Sequence, residues 1–231
     1  MVAFGYFWHD TCSYRCMARK PRIIQTEYPY HLLCRTNNRT FRFHKRQITR
    51  IVFKTITESI DKYKVLVHHI VLMSNHYHII ATATDKNLHR FMQYVNSRIA
   101  VRYNRTVDRT GHLWGGRYKS CIIATDEHYL GAVRYIYRNP LRAGIVQDLK
   151  DFQDSSLQFW AFGKKVDVVL ADDHLVLNMG NDRKMVSWYL MTLVLDDGAP
   201  FPSDSYMKAA LSRMFYGPDD FVKQMTDTYL T

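Results

Sequence analysis

Four residues in two short stretches carry most of the chain's chemical potential. They are His76 and His78 in Ser74-Asn75-His76-Tyr77-His78, and Tyr135 and Asn139 in Arg134-Tyr135-Ile136-Tyr137-Arg138-Asn139-Pro140. Residues two apart on a strand share a face, so the two imidazoles stand side by side while Tyr77 turns into the opposite layer. Residues four apart on a helix lie on one face about a turn from each other, which pairs Tyr135 with Asn139. Paired imidazoles plus an amide oxygen can hold a divalent ion, and a tyrosine close by can supply a nucleophile. Acting on a phosphodiester, such an ion polarises an oxygen and stabilises charge in the pentavalent transition state. The tyrosine, with a reference pKa of about 10, must lose its proton during attack, and its product is a phosphotyrosine. That bond conserves the energy of the diester, so a strand can be cut and rejoined without ATP. A hydrolase with activated water has no need of Tyr135. The plainer reading of His-x-His is one hydrogen-bonded core histidine and one exposed histidine.

The elements that must position these groups follow from the pattern around them. Val65–Met73 and Tyr77–Thr82 are apolar, β-rich runs joined by the polar pair Ser74-Asn75, which predicts two antiparallel neighbours. Upstream, Tyr30–Thr36 reads as a strand ending at Asn37-Asn38, and His44 to Tyr63 has apolar residues at helical spacing. Downstream, Asp85 is a candidate cap for a helix running to about Tyr103 with Arg90, Arg98, Arg102 and Arg105 on it. Thr110–Ser120 is a glycine-containing loop that enters a strand over Tyr118–Ala124. Thr125 or Asp126 caps a third helix, expected to run to about Arg138 and to stop near Pro140. Tyr137 lies about 200° around that helix from Tyr135 and so faces elsewhere. The order β-α-β-β-α-β, with a further helix, predicts an α+β, ferredoxin-like antiparallel sheet.

Composition and charge narrow the partner. Residues 1–150 carry 25 Lys and Arg against 9 Asp and Glu, whereas residues 151–231 carry 7 against 12. A basic body with an acidic tail points to a polyanion, with nucleic acid ahead of an anionic membrane because no long apolar run stands out. Arg117 and Lys119, two apart, share a strand face and suit a phosphate, and Trp114 or Tyr118 suits stacking on an unpaired base. The bland reading of the same stretch is a loop with a buried Trp. Arg19, Lys20 and Arg22 form a basic N-terminal segment. Cys12, Cys16, Cys34 and Cys121 are few and irregularly placed, as expected of a reducing compartment, and the N-terminus lacks a secretory pattern. Residues 1–16 match no pattern and read as a non-native or disordered leader, with Met17 the expected start. Residues 17–150 then form the main domain, and 151–231 a mainly helical extension.

The segment Ser74–His78, Gly111-His112-Leu113-Trp114 running to Arg117–Ser120, and Arg134–Pro140 followed by Arg142-Ala143-Gly144 resemble the REP-associated tyrosine transposases. These belong to the single-tyrosine HUH transposases, in which two histidines flank a hydrophobic residue, here Tyr77. The likeness covers roughly Met17 to Asp151, with a shorter likeness at Gly217–Phe221. It implies a metal-dependent endonuclease and strand transferase for single-stranded DNA, acting near hairpins of palindromic repeats. His76 and His78 fall on the metal ligands, Asn139 on a third amide ligand and Tyr135 on the nucleophile that takes the 5′ phosphate. Mg²⁺ or Mn²⁺ is the implied ion, in a cytoplasmic, nucleoid-associated protein, with a monomer ahead of a homodimer. Arg19, Lys20, Arg22, Arg98, Arg102, Trp114, Arg117, Tyr118 and Lys119 are the candidate DNA contacts. The acidic extension is expected to pack near the catalytic groove and restrain access. The competing expectation is a hairpin-binding protein, derived from such an enzyme, that no longer cuts.

Overall fold

The turn Ser74-Asn75 folds two apolar runs against each other as β2 (Val65–Met73) and β3 (His76–Ala83), pairing Met73 with His76 and Val71 with His78. Strand β1 (Pro29–Arg35) lies on the other side of β3, with Leu33 opposite His78 and Arg35 opposite His76. Strand β4 (Lys119–Ile123) pairs with β1 and sets Lys119 opposite Leu33. The computed structural model describes residues 24–196 and 215–229. Arg19, Lys20, Arg22, Cys12, Cys16 and the expected start at Met17 lie outside the described residues.

Helices α1 (Arg46–Tyr63) and α2 (Leu88–Thr106) cover one face of the sheet, where Tyr30, Leu32, Tyr77 and Ile79 join Val52, Ile56, Phe91 and Val95 in one apolar layer. Helix α3 (Asp126–Arg142) covers the other face, with Leu33, Val71 and Ile80 packed beneath it. The order β2-β3-β1-β4, all antiparallel, is that of the expected α+β fold. A two-residue strand β5 (Phe215–Tyr216) adds in parallel to β4, so the extension is not wholly helical. A run this short carries no readable alternation.

Strand β2 contains a device that an uninterrupted apolar run conceals. The register shifts by one residue between Val67 and His69. With His68 as the extra residue, Val67 and Ile70 both face α1 and α2, while His69, Val71 and Met73 face α3. A bulge thus re-aims the second half of the strand.

Of three local expectations, two need correction and one, the α3 cap, resolves to Thr125. Asp85 does not cap α2; its carboxylate accepts from the Lys86 N–H and the Asn87 side chain, and Asn87 occupies the cap position without a side-chain bond. Thr125 is the α3 cap, accepting from the His128 N–H. Helix α3 also continues through Pro140 to Arg142. Proline leaves the carbonyl four residues back without its usual donor, and the Asn139 amide nitrogen compensates, donating to Tyr135 O at 2.9 Å and Ile136 O at 3.4 Å.

The extension, α4 (Leu157–Trp160), α5 (His174–Asn178), α6 (Arg183–Leu195) and α7 (Asp219–Tyr229), begins by sealing the outer edge of β2. Leu72 N donates to Asp154 O, Ser156 N to Ile70 O, and Ala171 N to Val67 O. An edge strand's exposed donors and acceptors are thereby paired. Helix α6 then packs along α3, where Arg134 donates to Asp196 O and Arg138 to Val194 O. Among the described residues no helix is long and apolar enough to cross a membrane.

Candidate active site

On the α3 face of the sheet, three buried imidazoles meet one tyrosine. The His76 and His78 ring centres are 5.0 Å apart, and Tyr135 stands edge-on to His78 at 5.6 Å. His31 on β1 is the third imidazole, 5.0 Å from His78 and 5.9 Å from Tyr135. The sequence reading missed it, since His31 is a lone histidine in an apolar strand and only the β1–β3 register brings it here.

Hydrogen bonds orient both rings of the pair. The Asn75 amide nitrogen donates to Arg39 O at 2.9 Å, which fixes its oxygen as the group facing His76. His76 Nδ1–H must then donate to that oxygen, leaving Nε2 with its lone pair. His78 Nδ1 bonds His31 Nε2 at 2.8 Å, and His78 Nε2 is buried with no hydrogen-bond partner. Burial lowers His76 to about 3, with the nearby Arg35 adding to the effect. Burial also holds His78 well below the usual range, helped by His31, His76, Arg35 and Arg142. Both rings are therefore neutral at neutral pH, the form that ligates metal.

These residues fit a divalent ion at the point of chemistry: two neutral imidazoles on one strand face, one with an orphaned buried nitrogen. Among the described residues no group of three or more His, Cys, Asp or Glu side chains could hold a metal. Further donors must come from elsewhere, and Asn139, whose nitrogen serves its own helix, has its amide oxygen to offer.

Cations surround Tyr135. The Arg142 guanidinium lies 4.9 Å from the ring centre. Arg35, Arg39, Arg117 and Lys119 line, with Tyr135, a cavity of about 440 Å³. Burial lowers the Arg35 pKa, the neighbouring Arg39 adds to this, and the Tyr135 hydroxyl opposes it. Arg35 and Arg39 were missed in the sequence, as one sits at a strand end and the other in a turn. That turn is built from two successive left-handed residues, Asn38 at φ 51° and Arg39 at φ 54°. Non-glycine residues pay for this conformation. The loop around Gly115 is zipped onto the same turn through Asn37 N to Leu113 O and Gly115 N to Arg35 O. A side chain at Gly115 would meet Thr36 O at 3.2 Å.

The other candidates sit as follows. Arg117 and Lys119 are exposed at the cavity. Tyr118 and Trp114 are half-buried; Trp114 packs against Phe43 and Tyr77 and donates its indole N–H to Asn96 O. Arg98 and Arg102 ride on α2, across the sheet from Tyr135, and Arg102 pairs with Glu58 on α1 at 2.7 Å. Tyr129 and Tyr137 turn away from the histidines of β3: Tyr137 bonds His69 and Ser156, and Tyr129 bonds Asp173.

A family model described as IS200-like transposase matches residues 24–139. The chain belongs to the IS200-like transposase family. The matched stretch runs from the start of the described chain to Asn139, and so spans His31, the paired histidines and Tyr135. Among solved structures, the fold is similar to that of a REP-associated tyrosine transposase bound to a REP hairpin. Identity is 18%, the TM-score is 0.55, and the match covers 68% of this chain and 93% of that one. A putative transposase from Deinococcus radiodurans R1 matches at 17% identity and a TM-score of 0.36, over 51% of this chain and 87% of that one. No curated protein matches the chain.

Proposed function

We propose that this transposase cuts and rejoins single-stranded DNA beside hairpins of palindromic repeats, with Tyr135 as the nucleophile. The observation that carries the reading is Tyr135 held edge-on to His78, whose buried Nε2 has no partner, in a cavity rimmed by four cations. Family membership and the hairpin bound to the structural neighbour support it.

His76 and His78, with the Asn139 amide oxygen, would hold Mg²⁺ or Mn²⁺, and the ion's contribution is to polarise the scissile phosphate. Two imidazoles suit Mn²⁺ better than Mg²⁺. Arg35, Arg39, Arg117 and Lys119 bind the DNA backbone and set the phosphorus against the tyrosine. The Tyr135 oxygen attacks phosphorus as its proton departs, and Arg35 and Arg142 stabilise the negative charge that forms on it. A new O–P bond to tyrosine replaces the bond to the 3′ oxygen, which leaves as a 3′ hydroxyl. The reverse attack by a 3′ hydroxyl rejoins a strand, which makes the protein a strand transferase.

The test is incubation of the full chain with hairpin-bearing single-stranded DNA and Mn²⁺, run on a denaturing gel beside Tyr135→Phe. A covalent protein–DNA adduct lost in the variant is expected. Cleavage without an adduct, made equally by Tyr135→Phe, overturns the tyrosine mechanism. Binding without cleavage overturns the enzyme reading in favour of a hairpin-binding protein.

A further inference from the structure

A second cavity, of about 570 Å³, opens between α2 and the loop that carries Arg117. It meets the Tyr135 cavity at Gly116 and Arg117, which line both. The two are chemically unlike. Four cations rim the Tyr135 cavity, whereas the second shares only Arg117 with them and is otherwise lined by Ile24, the Tyr118 side chain, His89 and the uncharged polar groups Gln93, Asn96 and Ser97, over a floor of buried Met92. Cations with no sequence code suit phosphates, while planar apolar surfaces with amide edges suit a base.

Asn96 is the group whose orientation is fixed. The Tyr77 hydroxyl, from a side chain wholly buried between the two catalytic-strand histidines in sequence, donates to Asn96 Oδ1 at 2.7 Å. The Asn96 backbone oxygen accepts from the Trp114 indole at 2.8 Å. With its oxygen held by the core, Asn96 has its amide nitrogen, a donor only, to offer the cavity.

We infer that this cavity takes an unpaired nucleobase of the DNA strand that crosses the Tyr135 site, and that Asn96 selects a keto edge, guanine or thymine, over the amino edge of adenine or cytosine. The inference rests on the single-stranded DNA reading above and adds a base-reading site to it. Tyr77 thereby has a positioning role besides its place in the core: it orients Asn96.

The experiment uses hairpin-bearing oligonucleotides in which each unpaired nucleotide beside the stem is changed in turn between keto and amino bases. Adduct yield and, separately, affinity by fluorescence anisotropy at fixed salt are read for the wild type, Asn96→Asp and Tyr77→Phe. In the wild type one position should favour a keto base by about tenfold, the scale of one specific base contact. Asn96→Asp keeps an acceptor for Tyr77 but replaces the outward donor by an acceptor, so the ratio should invert at that same position. Tyr77→Phe changes no charge and should bring the ratio towards one by freeing the amide. A keto preference unchanged in both variants, or absent from the wild type, overturns the inference while leaving the nuclease reading intact. Base-selective binding without any adduct supports the inference and overturns the nuclease. Loss of both binding and adduct in the wild type removes both. Thermal melting of each variant separates a changed ratio from unfolding.

Discussion

His31 shows how much a single unremarked side chain can decide. Its Nε2 lies 2.8 Å from His78 Nδ1, and a histidine that ligates a metal depends on what its other nitrogen bonds. When His31 Nε2 accepts, His78 donates from Nδ1 and its Nε2 keeps the lone pair, the same tautomer that Asn75 imposes on His76. His31→Leu fills the buried site with an apolar side chain and removes that constraint. Losses of partners of this kind typically weaken metal binding by about 10- to 100-fold. Calorimetric titration of the apo-protein with Mn²⁺ should show such a drop, with the same fold by circular dichroism. Unchanged affinity would mean that His78 is oriented by its strand alone. The sequence could name His76, His78, Tyr135 and Asn139 because local periodicity places them. It could not name His31, Arg35 or Asn75 as site residues, since their roles depend on register and on bonds made across strands.

Among the elements, α3 bears Tyr135 and is fastened on its other sides by the extension. Asp173 collects three donors: the Val176 N–H, the Tyr129 hydroxyl at 2.7 Å and His69 Nε2 at 2.9 Å. Burial raises its carboxyl pKa, but the hydrogen bonds from His69, Val176 and Tyr129 outweigh burial and hold it below the ordinary carboxylate range. His69 in turn bonds Tyr137 at 2.6 Å, and Tyr137 bonds Ser156 at 2.9 Å. One buried chain of polar groups therefore ties β2, α3 and the extension together. Breaking a buried, hydrogen-bonded pair by deleting one partner typically costs about 3–5 kcal/mol. Asp173→Ala should lose roughly that much in urea unfolding, and hydrogen exchange should quicken in α3 before it does in α1. Equal protection of the two helices in the variant would show that the network does not hold α3 in particular. The helical pattern of α3 was plain in the sequence, but its passage through Pro140 was not, because the compensating donor is a side chain. The network itself was unreadable, as its members are spread from His69 to Asp173 with no spacing to relate them.

At the scale of the whole molecule, the buried histidines make stability depend on pH in a window above the usual carboxylate range. His68, away from the proposed active site, is lowered to about 4: burial is the main cause and neighbouring His69 adds to it, against the Ala171 carbonyl and Asp173. It bonds Ala171 O and Thr82 Oγ1 as a neutral ring. In the unfolded chain its pKa returns to about 6.5. Between these values the unfolded state binds a proton that the native state refuses, so stability falls as pH drops from about 6.5 towards 4 and is flat above. One such group changes stability by up to about 1.4 kcal/mol per pH unit. His31, lowered by burial to about 3, has the same sign. Each proton gained also adds positive charge to a chain already at +11, which favours expansion. Urea midpoints measured from pH 8 to pH 4.5 should hold steady to about 6.5 and then decline. His68→Gln, which cannot titrate, should make that decline shallower by about 1 kcal/mol per pH unit. A decline that starts only in the carboxylate range, or one that His68→Gln leaves equally steep, would mean that His68 takes up its proton in the folded protein.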